Sequence, residues 1–143
     1  MAQTFTITVL DLPDPEISFG EKVSGIDIPH QSMYNLGTIG ANAFMLLEFT
    51  IRNIGAASLA LTGSPLVALS GPQAAEFQVV YKPSATIPAG GSTEFMILLD
   101  CTSTDPRSAT VTIANNDSDE GPYIFTLVAN QPAQPNSFLL WTK

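Results

Sequence analysis

The feature that most constrains this chain is strict alternation of apolar and polar residues, interrupted every 8 to 20 residues by glycine and proline. Phe5, Ile7 and Val9 alternate with Thr4, Thr6 and Thr8. Leu47, Phe49 and Ile51 alternate with Glu48, Thr50 and Arg52, and Val111 and Ile113 alternate with Thr110, Thr112 and Ala114. Successive side chains of a strand point to opposite faces, so each run describes a strand with one buried and one wetted face. Punctuators such as Leu12-Pro13-Asp14-Pro15, Thr62-Gly63-Ser64-Pro65, Pro88-Ala89-Gly90-Gly91 and Asp105-Pro106 leave no room for a long helix. Only Gln73 to Glu76 has space for one short turn. The pattern predicts strands at 4–10, 16–19, 25–28, 44–53, 58–61, 66–70, 77–81, 92–100, 108–115, 122–129 and 137–141. The expected fold class is all-β, a two-sheet sandwich with extensions at both ends. It divides into an N-terminal arm, 1–14, a body, 15–130, and a proline-spaced tail, 131–143.

The 143 residues are enough for one domain with a self-sufficient core. Five Lys and Arg against 13 Asp and Glu leave a net charge of −8, which repels phosphate backbones and anionic headgroups; nucleic acid and membrane surfaces are therefore not expected partners. Charged residues make up only 13%, about half the usual share, so much of the surface is neutral or covered by something. The longest apolar runs fall far short of the ~20 residues that cross a bilayer as a helix. The first residues lack the basic, apolar order of a secretory signal, so no secretory route is expected. The single cysteine, Cys101, has no second thiol for an internal disulfide.

The densest cluster of acids is Asn115-Asn116-Asp117-Ser118-Asp119-Glu120. On a calcium loop beginning at Asn115, the glycine position would hold Glu120 and the bidentate acid position Thr126, so the register fails twice. Flanked by Val111 and Ile113 before and Tyr123, Phe125 and Leu127 after, the run reads as a turn between strands. A weak calcium site on it is the alternative. Asn116-Asp117-Ser118 also fits a glycosylation sequon, which the same turn explains without a glycan.

Catalytic constellations are scarce. His30, the one histidine, reads as a solvated loop residue, and Cys101, beside Asp100, as an inert thiol whose pKa its neighbour raises. Ala89-Gly90-Gly91-Ser92 lacks the lysine and helix of a phosphate loop and reads as a tight turn. Neither a nucleophile elbow nor a metalloprotease helix motif is present. The expectation is a protein without enzymatic activity, cofactor or metal.

The run FTIRNIGAASLALTGSPLVALSGPQAAEFQVVYKPSATIPAGGSTEFMILLD, residues 49 to 100, followed by RSATVTIANNDSDEGPYIFTLVA, residues 107 to 129, resembles the bacterial choice-of-anchor D domain. That module is immunoglobulin-like and related to the cilium- and centrosome-associated group. The resemblance is carried by Phe49-Thr50-Ile51-Arg52-Asn53 with Gly55, by Leu61-Thr62-Gly63-Ser64-Pro65, by Gly90-Gly91-Ser92-Thr93, and by Ala109-Thr110-Val111 with the Asn-Asp run after it. It covers roughly residues 15 to 129 and implies an immunoglobulin-like sandwich. Asp100 to Pro106 departs from the family pattern, and the repeats and anchor of the family's long secreted chains are not in this sequence.

Beyond the module lie the Thr-alternating arm and Ser137-Phe138-Leu139-Leu140-Trp141. A free segment rich in Phe, Leu and Trp is costly in water, so the tail either folds back or docks on another chain. Three functions from different classes follow. The leading one is a structural subunit of a large assembly, such as a bacteriophage capsid cement or decoration protein on the virion surface. Its partners would be a shell protein or copies of itself as a homo-oligomer, contacted through Phe5, Ile7 and Val9 of the arm and Phe138, Leu140 and Trp141 of the tail. The alternatives are an adhesion or carbohydrate-binding module of a larger protein, at a bacterial cell surface or extracellular, and an enzyme or calcium-dependent binder built on the acidic turn.

Overall fold

A computed structural model describes residues 14–131 of the chain. Among the described residues ten strands form: β1 (Ile17–Glu21), β2 (Met33–Asn35), β3 (Ala43–Asn53), β4 (Leu59–Ala60), β5 (Ala68–Ser70), β6 (Phe77–Tyr81), β7 (Thr86–Ile87), β8 (Ser92–Cys101), β9 (Arg107–Ile113) and β10 (Tyr123–Ala129). One sheet has the order β1-β3-β8-β6 and is antiparallel throughout. The facing sheet runs β2-β10-β9-β5, with β2 parallel to β10, and β4 and β7 make a short ribbon at one end. A single 3₁₀ turn, Ala74–Glu76, lies in the segment for which the sequence allowed one.

The alternation in the sequence becomes the two faces of each sheet. Leu47, Phe49 and Ile51 of β3 face inward beside Phe95, Ile97 and Leu99 of β8, while the opposite sheet contributes Val111, Ile113, Phe125 and Leu127. At the centre Phe19 lies 4.6 Å from Phe125, 5.4 Å from Phe49 and 5.6 Å from Phe95, ring centre to ring centre. These are the tilted arrangements that aromatic quadrupoles favour. All four rings are fully buried and join the two sheets.

Departures from the expected strands have local causes. Residues 25–28 do not form a strand; Asp27 makes only an isolated bridge to Gly20. The Glu21 carboxylate accepts the Val23 and Ser24 N–H groups, and Gly25 adopts a φ of +73°, so the chain reverses tightly and only Ile28 returns to the core. Strand β2 was not expected, because Met33-Tyr34-Asn35 shows no buried alternation; it is an edge strand held by main-chain pairing to β10. Strand β7 was missed because two residues carry no period. The arm (Phe5, Ile7, Val9) and the tail (Phe138, Leu140, Trp141) lie outside the described residues, as do the expected strands 4–10 and 137–141.

Candidate functional site

The acidic run is indeed the connection between two strands, β9 and β10, but it is tied firmly to the rest of the body. Asn115 accepts the Asp117 N–H through its carbonyl and donates to the carbonyls of Ile113 and Glu120. Asn116 accepts the Ala60 N–H at 2.8 Å. Asp117 is buried within the turn and accepts the Ile17 N–H at 3.0 Å with one oxygen and the Asp119 N–H at 2.9 Å with the other. The carboxylate thus fastens the start of β1 to a loop 100 residues away in sequence, which residue patterns alone do not reveal.

Carboxylate oxygens of Glu16, Asp117 and Asp119 lie within 4.8 Å of one another. The hydrogen bond to Asp117 pushes the Glu16 carboxyl up to about 7, with burial and the negative field of Asp117, Glu120 and Asp119 adding to it. For Asp117 burial works upward, but the Ile17 and Asp119 N–H groups outweigh it and hold the carboxyl below its ordinary value. Below about pH 7 the Glu16 carboxyl is the protonated member of the pair and Asp117 the ionised one. The folded state binds this proton more tightly than the unfolded chain between Glu16's ordinary value of 4.5 and about 7. Stability consequently falls as pH rises through that window and levels off above it, whereas the contribution of ionised Asp117 is lost only in more acidic solution. Urea unfolding at a series of pH values is expected to show a decline on the order of 1–2 kcal/mol for the native chain between pH 5 and 8, after discounting for partial exposure. Glu16→Gln, which carries a donor at every pH, is expected to flatten that profile; a variant that declines in parallel with the native chain rules the shared proton out.

His30 is not simply solvated: its Nδ1 accepts the Ile124 N–H at 3.1 Å, and its ring lies 5.4 Å from that of Tyr123, so it ties the loop before β2 to the start of β10. The Tyr123 hydroxyl donates to the Ile28 carbonyl, and burial pushes its phenol up to about 12. Cys101 is buried and its thiol is pushed up, chiefly by burial and only to a lesser extent by Asp100, the neighbour singled out from the sequence. Arg107, buried at the start of β9, holds Glu76 at 2.7 Å and donates to the Ser103 and Thr102 hydroxyls. This fixes the loop at 100–106 where the sequence departs from the family pattern. All these groups are absorbed in holding the fold.

The outward face of the β1-β3-β8-β6 sheet is divided. Its lower half carries charges in pairs: Lys22 with Glu94 at 3.1 Å and with Glu48 at 3.7 Å, and Arg52 with Asp27 at 3.9 Å. Its upper half is richer in apolar side chains, interspersed with Asp100 opposite Phe44, Gln78 opposite Leu98 and Glu48 opposite Met96. Leu46 pairs across to Leu98, Phe44 sits one step above on β3, and Met96 is flanked by Tyr81 of β6. Phe44 is 68% exposed, Tyr81 56% and Leu46 54%. Exposed large apolar side chains gathered on one sheet face suit a surface that another molecule covers. The sequence contained the clue, since Phe44-Met45-Leu46-Leu47 and Phe95-Met96-Ile97-Leu98-Leu99 are apolar on both faces where the other strands alternate. Among the described residues no helix is long and apolar enough to cross a membrane.

No protein-family model matches the sequence, and no curated protein matches it significantly. Solved structures do share the fold. A protein of unknown function from Porphyromonas gingivalis W83 aligns with a TM-score of 0.55 at 17% identity, over 85% of this chain and 68% of that one. The PapD-like domain 7 of human CEP192, an ASH domain, aligns at 0.55 and 11% identity, over 92% and 96%. The secreted serine protease VesC of Vibrio cholerae aligns at 0.57 and 16% identity, over 87% of this chain but only 25% of the protease. At these identities the likeness concerns the fold alone, an immunoglobulin-like sandwich.

Proposed function

We infer that the chain is a non-catalytic interaction module that serves as an accessory subunit on a larger protein assembly, most concretely as a cement or decoration protein on a bacteriophage capsid. The observation that carries this reading is the cluster of apolar side chains on the outer sheet face, Phe44, Leu46, Leu98, Met96 and Tyr81, bordered by Asp100, Gln78 and the ion-paired Glu48. Covering that surface releases ordered water and supplies free energy, while the polar border limits the extent of the contact. The low charge content of the chain agrees with a surface that is largely covered. The capsid itself is an extension by analogy, since a compact sandwich flanked by sequence arms with apolar side chains suits attachment to a shell.

A second reading has an observation of its own. The fold aligns with one quarter of the secreted VesC protease, so a sandwich of this kind is compatible with use as one module of a longer secreted chain. An adhesion or carbohydrate-binding role would belong there, and so would membership in the choice-of-anchor D family. Gold-labelled antibody against the chain, applied to the lysed source material and viewed by negative-stain electron microscopy, separates the two. Label in regular array on particles is expected, and its loss with Leu46→Asp would place the contact on the outer face. Label on cell envelopes, or none on any particle, overturns the assembly reading in favour of the second.

A further inference from the structure

Strands β5 and β6 stand on the same side of the sandwich but belong to different sheets, and among the described residues each is paired on one edge only. Between them opens a cleft of about 630 Å³, whose walls include Leu66 and Leu69 on one side and Phe77 and Val79 on the other. That volume lies within the ~300–1,000 Å³ typical of clefts that take small molecules. Lys82 is the one charged side chain that lines it. We propose that the cleft is a binding site for a linear amphiphilic carboxylate of the fatty-acid class, with the alkyl chain lying between the two sheets and the carboxylate held by Lys82. The site goes beyond the assembly reading and does not depend on it.

The two ends of the cleft differ. At one end β5 leads into β6 through residues 71–76, and this connection is fastened to β9: Glu76 holds Arg107 at 2.7 Å, and the Gln73 side-chain carbonyl accepts the Ser108 N–H at 3.0 Å. The charge of Glu76 is thereby balanced and the gap between the sheets is closed there. At the other end, where the chain enters β5 and leaves β6, stand Ser64 and Lys82. From Phe77 to Lys82 is five strand steps, at most about 17 Å. An alkyl chain laid along β6 thus meets apolar wall for its length and a cation at its head.

Charge and edge structure select this occupant. Among the described residues Lys22, Arg52 and Arg107 are each engaged by a carboxylate, and Lys82 is the cationic side chain that is not. In a chain of net charge −8, an ammonium without an acidic partner beside an apolar trough suits an anionic head on an apolar body. The body gains by leaving water, and the head by meeting that positive charge. The walls themselves disfavour an added peptide strand. Strand β5 has only three residues, β6 is irregular between Val79 and Tyr81, and Pro65 and Pro83 flank them at the cleft. Short, bulged and proline-flanked edges pair poorly with an incoming strand.

The test titrates the full chain with dodecanoate below its micellar concentration, followed by calorimetry and by methyl NMR. Saturable binding of one dodecanoate per chain is expected, with shifts in the methyl signals of Leu66, Leu69 and Val79 and none in those of Leu46 and Leu98 on the outer face. Decanoate, two methylenes shorter, should bind on the order of fifteenfold more weakly, since each buried CH₂ is worth about fourfold. Lys82 is exposed, so Lys82→Gln leaves the fold intact; it should weaken dodecanoate by about fivefold and leave uncharged decanol at its native affinity. The site is overturned by the absence of saturable binding, by shifts at Leu46 and Leu98 in place of the cleft, or by a Lys82→Gln chain that binds dodecanoate as the native one does. Shifts at Leu66, Leu69 and Val79 with a short alternating Val-Thr peptide but not with dodecanoate would overturn the amphiphile in favour of an added strand.

Discussion

Asn53→Leu is expected to be the most damaging single polar substitution in the body, costing about 3–5 kcal/mol in urea unfolding, a large part of the ~5–15 kcal/mol that holds a domain together. The side chain of Asn53 is fully buried at the end of β3 and every polar atom on it is used. Its carbonyl oxygen accepts the N–H groups of Glu16 and Gly55 at 3.1 and 3.0 Å, and its amide donates to the carbonyls of Ala57 and Ile87 at 2.6 and 3.0 Å. Its own backbone pairs with Gly90 and Gly91. One residue thereby joins the entry to β1, the chain leaving β3, the β4-β7 ribbon and the turn before β8. Leucine fills a similar space but leaves four backbone groups without the partner they have here, some beyond the reach of water. Gly55 is part of the same construction, because a Cβ on it would collide with the Asp14 carbonyl and the Glu16 amide. A loss below about 1 kcal/mol would mean that water replaces these bonds freely and that the hub is not structural.

Phe19→Ala is expected to cost about 3–5 kcal/mol, through lost transfer free energy and the cavity left behind. Phe19 is 1% exposed and contacts rings from three other strands as well as Tyr123, at 5.7 Å. Collapse into the hole is limited, since Phe49 and Phe95 are held by the β3-β8 ladder and Phe125 by the opposite sheet. The change is read as a lower midpoint in urea with an unchanged slope. Phe19→Leu, which keeps most of the volume, should recover more than half of the loss. If alanine and leucine cost the same, the ring contacts rather than the cavity dominate.

Much of the body could be read from residues in order. The alternation at 47–52 and 110–113 became inward and outward faces as expected, and the strand at 77–81 has the expected limits. The short elements were not legible. Residues 25–28 look apolar and alternating, yet Glu21 caps a turn there; Met33–Asn35 carries no pattern, yet pairs with β10. In both places the deciding contact comes from a hydrogen bond rather than from a periodic apolar face. The candidate surface was half legible: the two-faced apolar runs at 44–47 and 95–99 announce a face that water does not suit, but only the register of β3 against β8 and β6 shows that their outer residues meet in one patch.

Periodicity and punctuation by themselves determined the all-β class, the positions of the long strands and the residues of the core, because burial of alternate side chains is a local property of a strand. Tertiary structure alone decided the rest. It brought Glu16 to Asp117 and Asn53 to Ile87, and put His30 against Ile124. Each of these joins segments far apart in the chain through single polar groups or sheet edges, and such pairings leave no period in the sequence that would announce them.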